Sequence, residues 1–176
     1  MYANRNDQSK RNYLRKHDCI VGNKTRFIGK IDGFGSEPHL IEIGEDCLIS
    51  DNVHFHTHDG GVKVLNAAGY FSCQRMDKMA RIKVGNNCFL GSGCRIMMGV
   101  TIGDNCIIGT NSVVTRSVPD NSVVAGMPAK VICTHDEYYK KNTTRNVFFP
   151  TPEMSQYDKR NYLIKNVPKI ENKRLI

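Results

Sequence analysis

Between residues 84 and 119 the aliphatic positions recur every six residues. Written in sixes, the stretch reads VGNNCF, LGSGCR, IMMGVT, IGDNCI, IGTNSV, VTRSVP. Val84, Leu90, Ile96, Ile102, Ile108 and Val114 open the blocks, and glycine follows in four of them. The fifth place holds a small residue: Cys88, Cys94, Val100, Cys106, Ser112, Val118. A hexapeptide period is the signature of a β-helix. Three hexads make one triangular coil. The aliphatic first residue points inward and stacks on its equivalents in the coils above and below. The small fifth residue packs inside at the corner, and Gly or Asn tolerates the tight turn there. Each coil contacts only its neighbours.

The register starts earlier, in IGEDCL, ISDNVH and FHTHDG, from Ile43, Ile49 and Phe55, with Cys47 in the fifth place. VGNKTR from Val21 reads as a first hexad, followed by an irregular passage through GKIDGFGSEPHL. The register breaks once. The separation of Phe55 and Val84 is not a multiple of six, so an excursion over 60–83 leaves the coil. Long loops in regular folds tend to carry function. PDNSVVAGMPAKVI closes the stack, and THDEYYKKN reads as a short helix with Thr134 as cap and Glu137 completing a capping box. The final stretch, 146–176, has no clear period. DQSKRNYLRKH reads as a short N-terminal helix. The expected organisation is an extension over 1–19, a β-helix domain over 20–133, and a helix with tail over 134–176.

Composition narrows the class. The 176 residues carry a net charge of +8, much of it at the ends, in KRNYLRK and KIENKRLI. These ends read mostly as solvated, because no nucleic-acid-binding signature accompanies them. A phosphate-bearing small molecule is the other partner such cations would suit. No apolar run approaches the length of a membrane helix, and the polar start contains no secretory signal. A cytoplasmic protein without membrane insertion is therefore expected. Seven cysteines without a C-x-x-C pair argue against a disulfide framework. Most of them are the small inward residues of the repeat, which removes them as candidate nucleophiles or metal ligands.

These motifs resemble one family. FGSEPHLIEIG, FHTHDGG, the run from IKVGNNCF to VPDNSVVAGMPAKVI and the helix after it are similar to hexapeptide-repeat acyltransferases, and cover most of residues 20–142. The branch is that of maltose/galactoside O-acetyltransferases and xenobiotic acetyltransferases, including members that modify saccharides. The resemblance implies an all-β, left-handed parallel β-helix, the hand being an exception to the right-handed rule. It further implies a homotrimer with acetyl-coenzyme A lying in a groove between adjacent β-helices.

The resemblance assigns the general base to His58, in THDGG. An imidazole titrates near working pH and can take the proton of an attacking hydroxyl or amine. It places Ser92 near the thioester, where a corner backbone N–H supplies an oxyanion donor. It carries coenzyme A contacts to Ser92, Thr110, Thr115, Arg116 and Lys130, the last two facing phosphates. Two departures stand out: Phe89 replaces a frequent tryptophan, and the hexad IMMGVT has methionine where proline is common before glycine.

The remaining histidines separate by phase. His54 and His56 flank the inward Phe55 and face outward. His54 is expected at the surface, and His56 and Asp59 are candidates to line the acceptor pocket. Asp59 falls in a fifth place, where it would orient a histidine or stabilise the turn before Gly60 and Gly61. Glu37, about one turn earlier, is a further acceptor-binding candidate. His17, His39 and His135 are assigned no chemistry. A zinc site of the gamma-type carbonic anhydrase kind needs histidines one coil onward, and residues 59–134 contain none. The expected activity is acetyl transfer to the hydroxyl of a sugar or nucleotide-sugar. The alternatives are N-acetylation of a nucleotide-linked amino sugar, drug acetylation, and a catalytically silent structural trimer.

Overall fold

The computed structural model describes residues 6–72 and 74–168. The charged KIENKRLI and Cys73 lie outside them. The chain divides into two compact units, Met1–Asp136 and Glu137–Ile176.

The first unit opens with helix α1 (Asp7–Lys16), as the N-terminal pattern predicts. Asn6 caps it by accepting the Ser9 N–H at 2.8 Å. Coil 1 follows, with β1 (Ile20–Val21) and β2 (Arg26–Phe27). Its third side is a 3-10 turn, Asp32–Phe34, in place of a strand. Coil 2 is β3 (Ile41–Ile43), β4 (Leu48–Ile49) and β5 (His54–His56). An excursion carrying α2 (Val62–Ala67) comes next. Coil 3 is β6 (Ile82–Val84), β7 (Phe89–Leu90) and β8 (Arg95–Met97), and coil 4 is β9 (Thr101–Ile102), β10 (Ile107–Ile108) and β11 (Val113–Val114). Strands β12 (Ser122–Gly126) and β13 (Ala129–Thr134) form an antiparallel hairpin that closes the stack.

The coils stack into three sheets, one per face of the prism. The first is β1-β3-β6-β9, the second β2-β4-β7-β10-β12-β13, and the third β5-β8-β11. Pairing between coils is parallel. Register gives the coil lengths directly. Val84 pairs with Ile102 and Leu90 with Ile108, so a regular coil is three hexads long. Ile43 pairs with Val84, first place against first place, so the excursion is inserted without disturbing the phase. Val21 pairs with Ile43, which makes coil 1 longer than three hexads by the irregular passage it contains.

The inward hexad positions form the core. Val84, Leu90, Ile96, Ile102 and Ile108 are all fully buried, with Cys88, Cys94 and Cys106 beside them. Cysteine does more than fit. Its S–H donates to a corner carbonyl of the next coil: Cys47 to Gly85 O at 3.1 Å, Cys88 to Gly103 O at 3.0 Å, Cys94 to Gly109 O at 3.1 Å. Burial pushes the Cys19 thiol up to about 12 and raises Cys94, so both are neutral donors, not thiolate nucleophiles. At the edge between the first and second sheets, Asn87, Asn105 and Asn121 all have positive φ, at 51°, 56° and 57°. Their side chains bond in a ladder, Asn87 to Asn105 at 2.9 Å and Asn105 to Asn121 at 3.0 Å. Asparagine tolerates the left-handed conformation, and its amide carries both a donor and an acceptor.

Four expectations are corrected. The chain is not all-β, because α1, α2, α3 (His135–Thr144) and α4 (Gln156–Asn166) accompany the coils. Helices α2 and α4 go beyond the elements the pattern predicts; in α4 the Ser155 hydroxyl accepts the Asp158 N–H at 3.1 Å as its cap. Helix α3 begins directly after Thr134, as expected. Val118 is not a fifth-place residue. It bridges to the first-place Ile102, so the last coil falls short of three hexads. The basic KRNYLRK is not simply solvated. Lys10 is buried and donates to Phe27 O at 2.9 Å, Arg11 to Thr25 O at 2.7 Å, and Arg15 to Val21 O. These cations cap the carbonyls of coil 1 on the side that α1 covers, where among the described residues no strand pairs with it. Asp59 does not occupy an interior place, as the site geometry makes plain.

Candidate active site

The neck of the excursion is a short antiparallel pairing. The Ala80 N–H donates to Thr57 O at 3.0 Å, and the Asp59 N–H to Lys78 O at 3.0 Å. His58 faces Met79 across it. This fixes His58 where the third sheet ends and the loop departs. Its ring is half exposed, at 50 %, while the carboxylate beside it is only 17 % exposed.

That carboxylate is Glu37, which lies just ahead of the 3-10 turn Pro38–Leu40. Its Oε2 is 2.8 Å from His58 Nδ1 and accepts the hydroxyl of the buried Thr57 at 2.9 Å. Its Oε1 accepts the Ser36 hydroxyl at 2.7 Å. The Ser36 hydroxyl, then the His58 ring, hold the Glu37 carboxyl down at about 2. An ionised carboxylate only accepts, so His58 Nδ1 carries the hydrogen. Nε2 is then the basic nitrogen in the neutral ring.

Asp59 behaves differently from its neighbour. It is 44 % exposed, accepts the Gly61 N–H at 2.9 Å and pairs with Lys78 Nζ at 2.8 Å. The Lys78 ammonium is the largest cause of its lowered pKa. It ties the two legs of the loop together and leaves the orientation of His58 to Glu37. Ser36, Glu37, His58, Asp59, Asp77 and Lys78 border a cavity of about 330 Å³.

His56 is not among the described residues lining that cavity. It faces outward from the third sheet, its ring 6.1 Å from that of His54. Partial burial, then the neighbouring His54 and Arg95, lowers its pKa and favours the neutral ring. His54 bonds Asn52 Oδ1 at 3.0 Å. His17 packs on Tyr13, His135 sits beside Asp136, and the His39 side chain is exposed. Among the described residues, no group of three His, Cys, Asp or Glu side chains converges to hold a metal ion.

The other predicted site residues fall on two edges of the prism. Ser92 and Thr110 lie between the second and third sheets, one coil apart. Ser92 Oγ is 2.8 Å from Ser50 Oγ in the coil before, and Ser92 O accepts the Asn111 N–H at 2.8 Å. A Cβ on Gly91 would lie 2.7 Å from the Thr110 amide nitrogen, so only glycine allows this approach. Thr115 and Arg116 lie past the third sheet, on the same edge as His58 and two coils on. Lys130 projects from β13 opposite Ala125. Thr110, Thr115, Arg116 and Lys130 are all exposed. Within one chain, His58 and the Ser92–Thr110 edge are therefore separated by the width of the third sheet.

Residues 81–116 match the family model described as the hexapeptide repeat of succinyl-transferase. Protein CapG of Staphylococcus aureus is 41 % identical over 153 residues, covering 86 % of this chain and 85 % of that protein. The chain belongs to the hexapeptide-repeat acetyltransferase family. Among its relatives, the galactoside O-acetyltransferase of Escherichia coli (strain K12) is 36 % identical over 101 residues, which is 54 % of this chain and 45 % of that enzyme. A solved structure of a galactoside acetyltransferase in complex with coenzyme A superimposes with a TM-score of 0.55 at 25 % identity, over 76 % of this chain and 73 % of that one. The family fold accounts for the coil stack. No helix of the described residues is long and apolar enough to cross a membrane.

Proposed function

We propose that this acetyltransferase moves an acetyl group from acetyl-coenzyme A to a sugar hydroxyl, with His58 as general base. The observation that carries the reading is the Glu37–His58 pair at 2.8 Å, on the border of a cavity of about 330 Å³, which leaves Nε2 free of the carboxylate. Nε2 takes the hydroxyl proton as the acceptor oxygen bonds the thioester carbon. The imidazolium, stabilised by ionised Glu37, then returns that proton to the departing sulfur. Glu37 is thus a positioning residue rather than an acceptor contact. The sugar class follows from the relatives named as galactoside acetyltransferases.

Placement supports coenzyme A contact for Ser92 and Thr110, and charge supports it for Arg116 and Lys130. Ser92 and Thr110 line an edge running along the prism axis, as an elongated ligand requires. Arg116 and Lys130 have no ion-pair partner among the described residues and are available to phosphates. Because His58 and Ser92 occupy different edges, the reading requires an adjacent subunit to complete each site. A left-handed coil and a homotrimer accord with this.

Thiol release from acetyl-coenzyme A over a panel of sugars and amino sugars tests the activity. Transfer to a sugar hydroxyl is expected. Transfer confined to amines would replace the O-acetyl reading. Absence of coenzyme A binding by calorimetry would leave a structural trimer instead.

A further inference from the structure

The excursion holds a second cavity, of about 390 Å³, bordered by Lys63, Asn66, Ser72, Gln74 and Arg75. Its lining residues follow those of the His58 cavity closely in sequence on both legs of the loop. On the outgoing leg, Val62 lines the His58 cavity and Lys63 lines the second one. On the returning leg, Arg75 lines the second cavity and Asp77 the first. The two differ sharply in charge. The His58 cavity has three carboxylates, Glu37, Asp59 and Asp77, against one ammonium, Lys78. The second has two cations, Lys63 and Arg75, and no carboxylate among its described lining. Neither cation has an ion-pair partner among the described residues. The floor between the legs is held in place. The Asn66 amide donates to Met76 O at 2.7 Å and accepts the Met76 N–H at 2.9 Å, closing the loop on itself.

We infer that this second cavity is an anion subsite, and that the acceptor is a sugar carrying a phosphate or carboxylate group. The inference rests on the acetyl-transfer reading above and names its substrate class. An acidic floor beside His58 repels an anionic group and accepts hydrogen bonds from hydroxyls. The neighbouring cations attract that group, with Asn66, Ser72 and Gln74 supplying further polar partners. The charge step along the loop therefore orients the acceptor, hydroxyl end towards His58 and anionic end towards Lys63 and Arg75.

The test is a binding experiment on the full chain that does not depend on turnover. Arg116→Gln/Lys130→Gln serves as the parent, so that the proposed donor groove contributes no cations. The parent is titrated by calorimetry with inorganic pyrophosphate, glucose 1-phosphate, glucuronate and glucose. Adding Lys63→Gln/Arg75→Gln is expected to weaken anion binding by roughly ten-fold or more, since charge-assisted hydrogen bonds are worth that much or above. Weakening for the two phosphates alone assigns the subsite to phosphate, and weakening for glucuronate alone to a uronate. Equal affinities in parent and variant, or no anion binding by the parent, overturn the inference. Failure of the acetyl-transfer reading would register separately, as absent thiol release and absent coenzyme A binding.

Discussion

His58 differs from His54 and His56 in what its imidazole touches. The other two lie on the outer face of a strand, whereas His58 donates to a carboxylate that already holds two hydroxyl hydrogens. Replacing His58 by Ala removes the base, and thiol release is expected to fall by about 10²- to 10⁴-fold while circular dichroism stays unchanged. Glu37→Gln should give a smaller loss, expressed in kcat rather than in KM, because it acts through His58. It also has a signature in stability. Glu37 titrates at about 2 in the folded chain, below an ordinary carboxylate near 4.3 in the unfolded one. Its contribution is complete above the unfolded value and disappears as pH falls through that range to about 2. Denaturant melts of Glu37→Gln should accordingly lose less stability than wild type between those limits. An identical pH profile in the two proteins would show that Glu37 is not held ionised by its neighbours.

The coil tolerates irregularity at three places, and each is compensated locally. The passage before coil 2 replaces a strand with a 3-10 turn, and Phe34 fills the space by packing its ring 4.8 Å from that of Phe55. The excursion leaves and returns through a paired neck, so its length does not shift the strands on either side. At the open end, α1 supplies side-chain donors where a preceding coil would have supplied backbone. This arrangement makes two positions sensitive. Ile96→Ala, in the middle of the stack, should cost about 2–5 kcal/mol in denaturant unfolding, because neighbouring coils cannot collapse into the gap. Lys10→Ala should cost about 1–3 kcal/mol by leaving the Phe27 carbonyl without its buried donor. A negligible effect at Lys10 would mean that α1 is not an integral cap of the β-helix.

At the scale of the molecule, the proposed site is divided between two edges that no single coil brings together. In the proposed trimer, a ring of subunits joins the His58 edge of one to the Ser92–Thr110 edge of the next. This makes complementation the decisive measurement. His58→Ala and Thr110→Arg, which obstructs the donor edge, should each be inactive alone. Trimers reassembled from an equal mixture should recover about a quarter of wild-type activity, since each mixed trimer retains one intact site of three. No recovery on verified mixed trimers would place the whole site within one chain. The second unit, Glu137–Ile176, has its own packing, with the rings of Tyr139 and Phe148 stacked at 5.9 Å.

The hexad pattern alone is enough to place the coils, the inward aliphatic column, the small cysteines and the point of excursion. It works because each coil contacts only its neighbours, so local period and tertiary position are the same information. It also separates His58 from His54 and His56, since phase determines which way a side chain points. What it cannot supply comes wherever the period lapses. Glu37 stands about one lengthened coil before His58, but that length is set by a 3-10 turn with no repeat signal. Val118 falls out of phase because the last coil is shortened between β11 and the bridge of Val118 to Ile102. Helix α2, the pairing of Asp59 with Lys78 and the charge step between the two loop cavities depend on contacts between the legs of the excursion. Those contacts join residues far apart in sequence that the coils on either side hold together at the neck of the loop, and no local period encodes them.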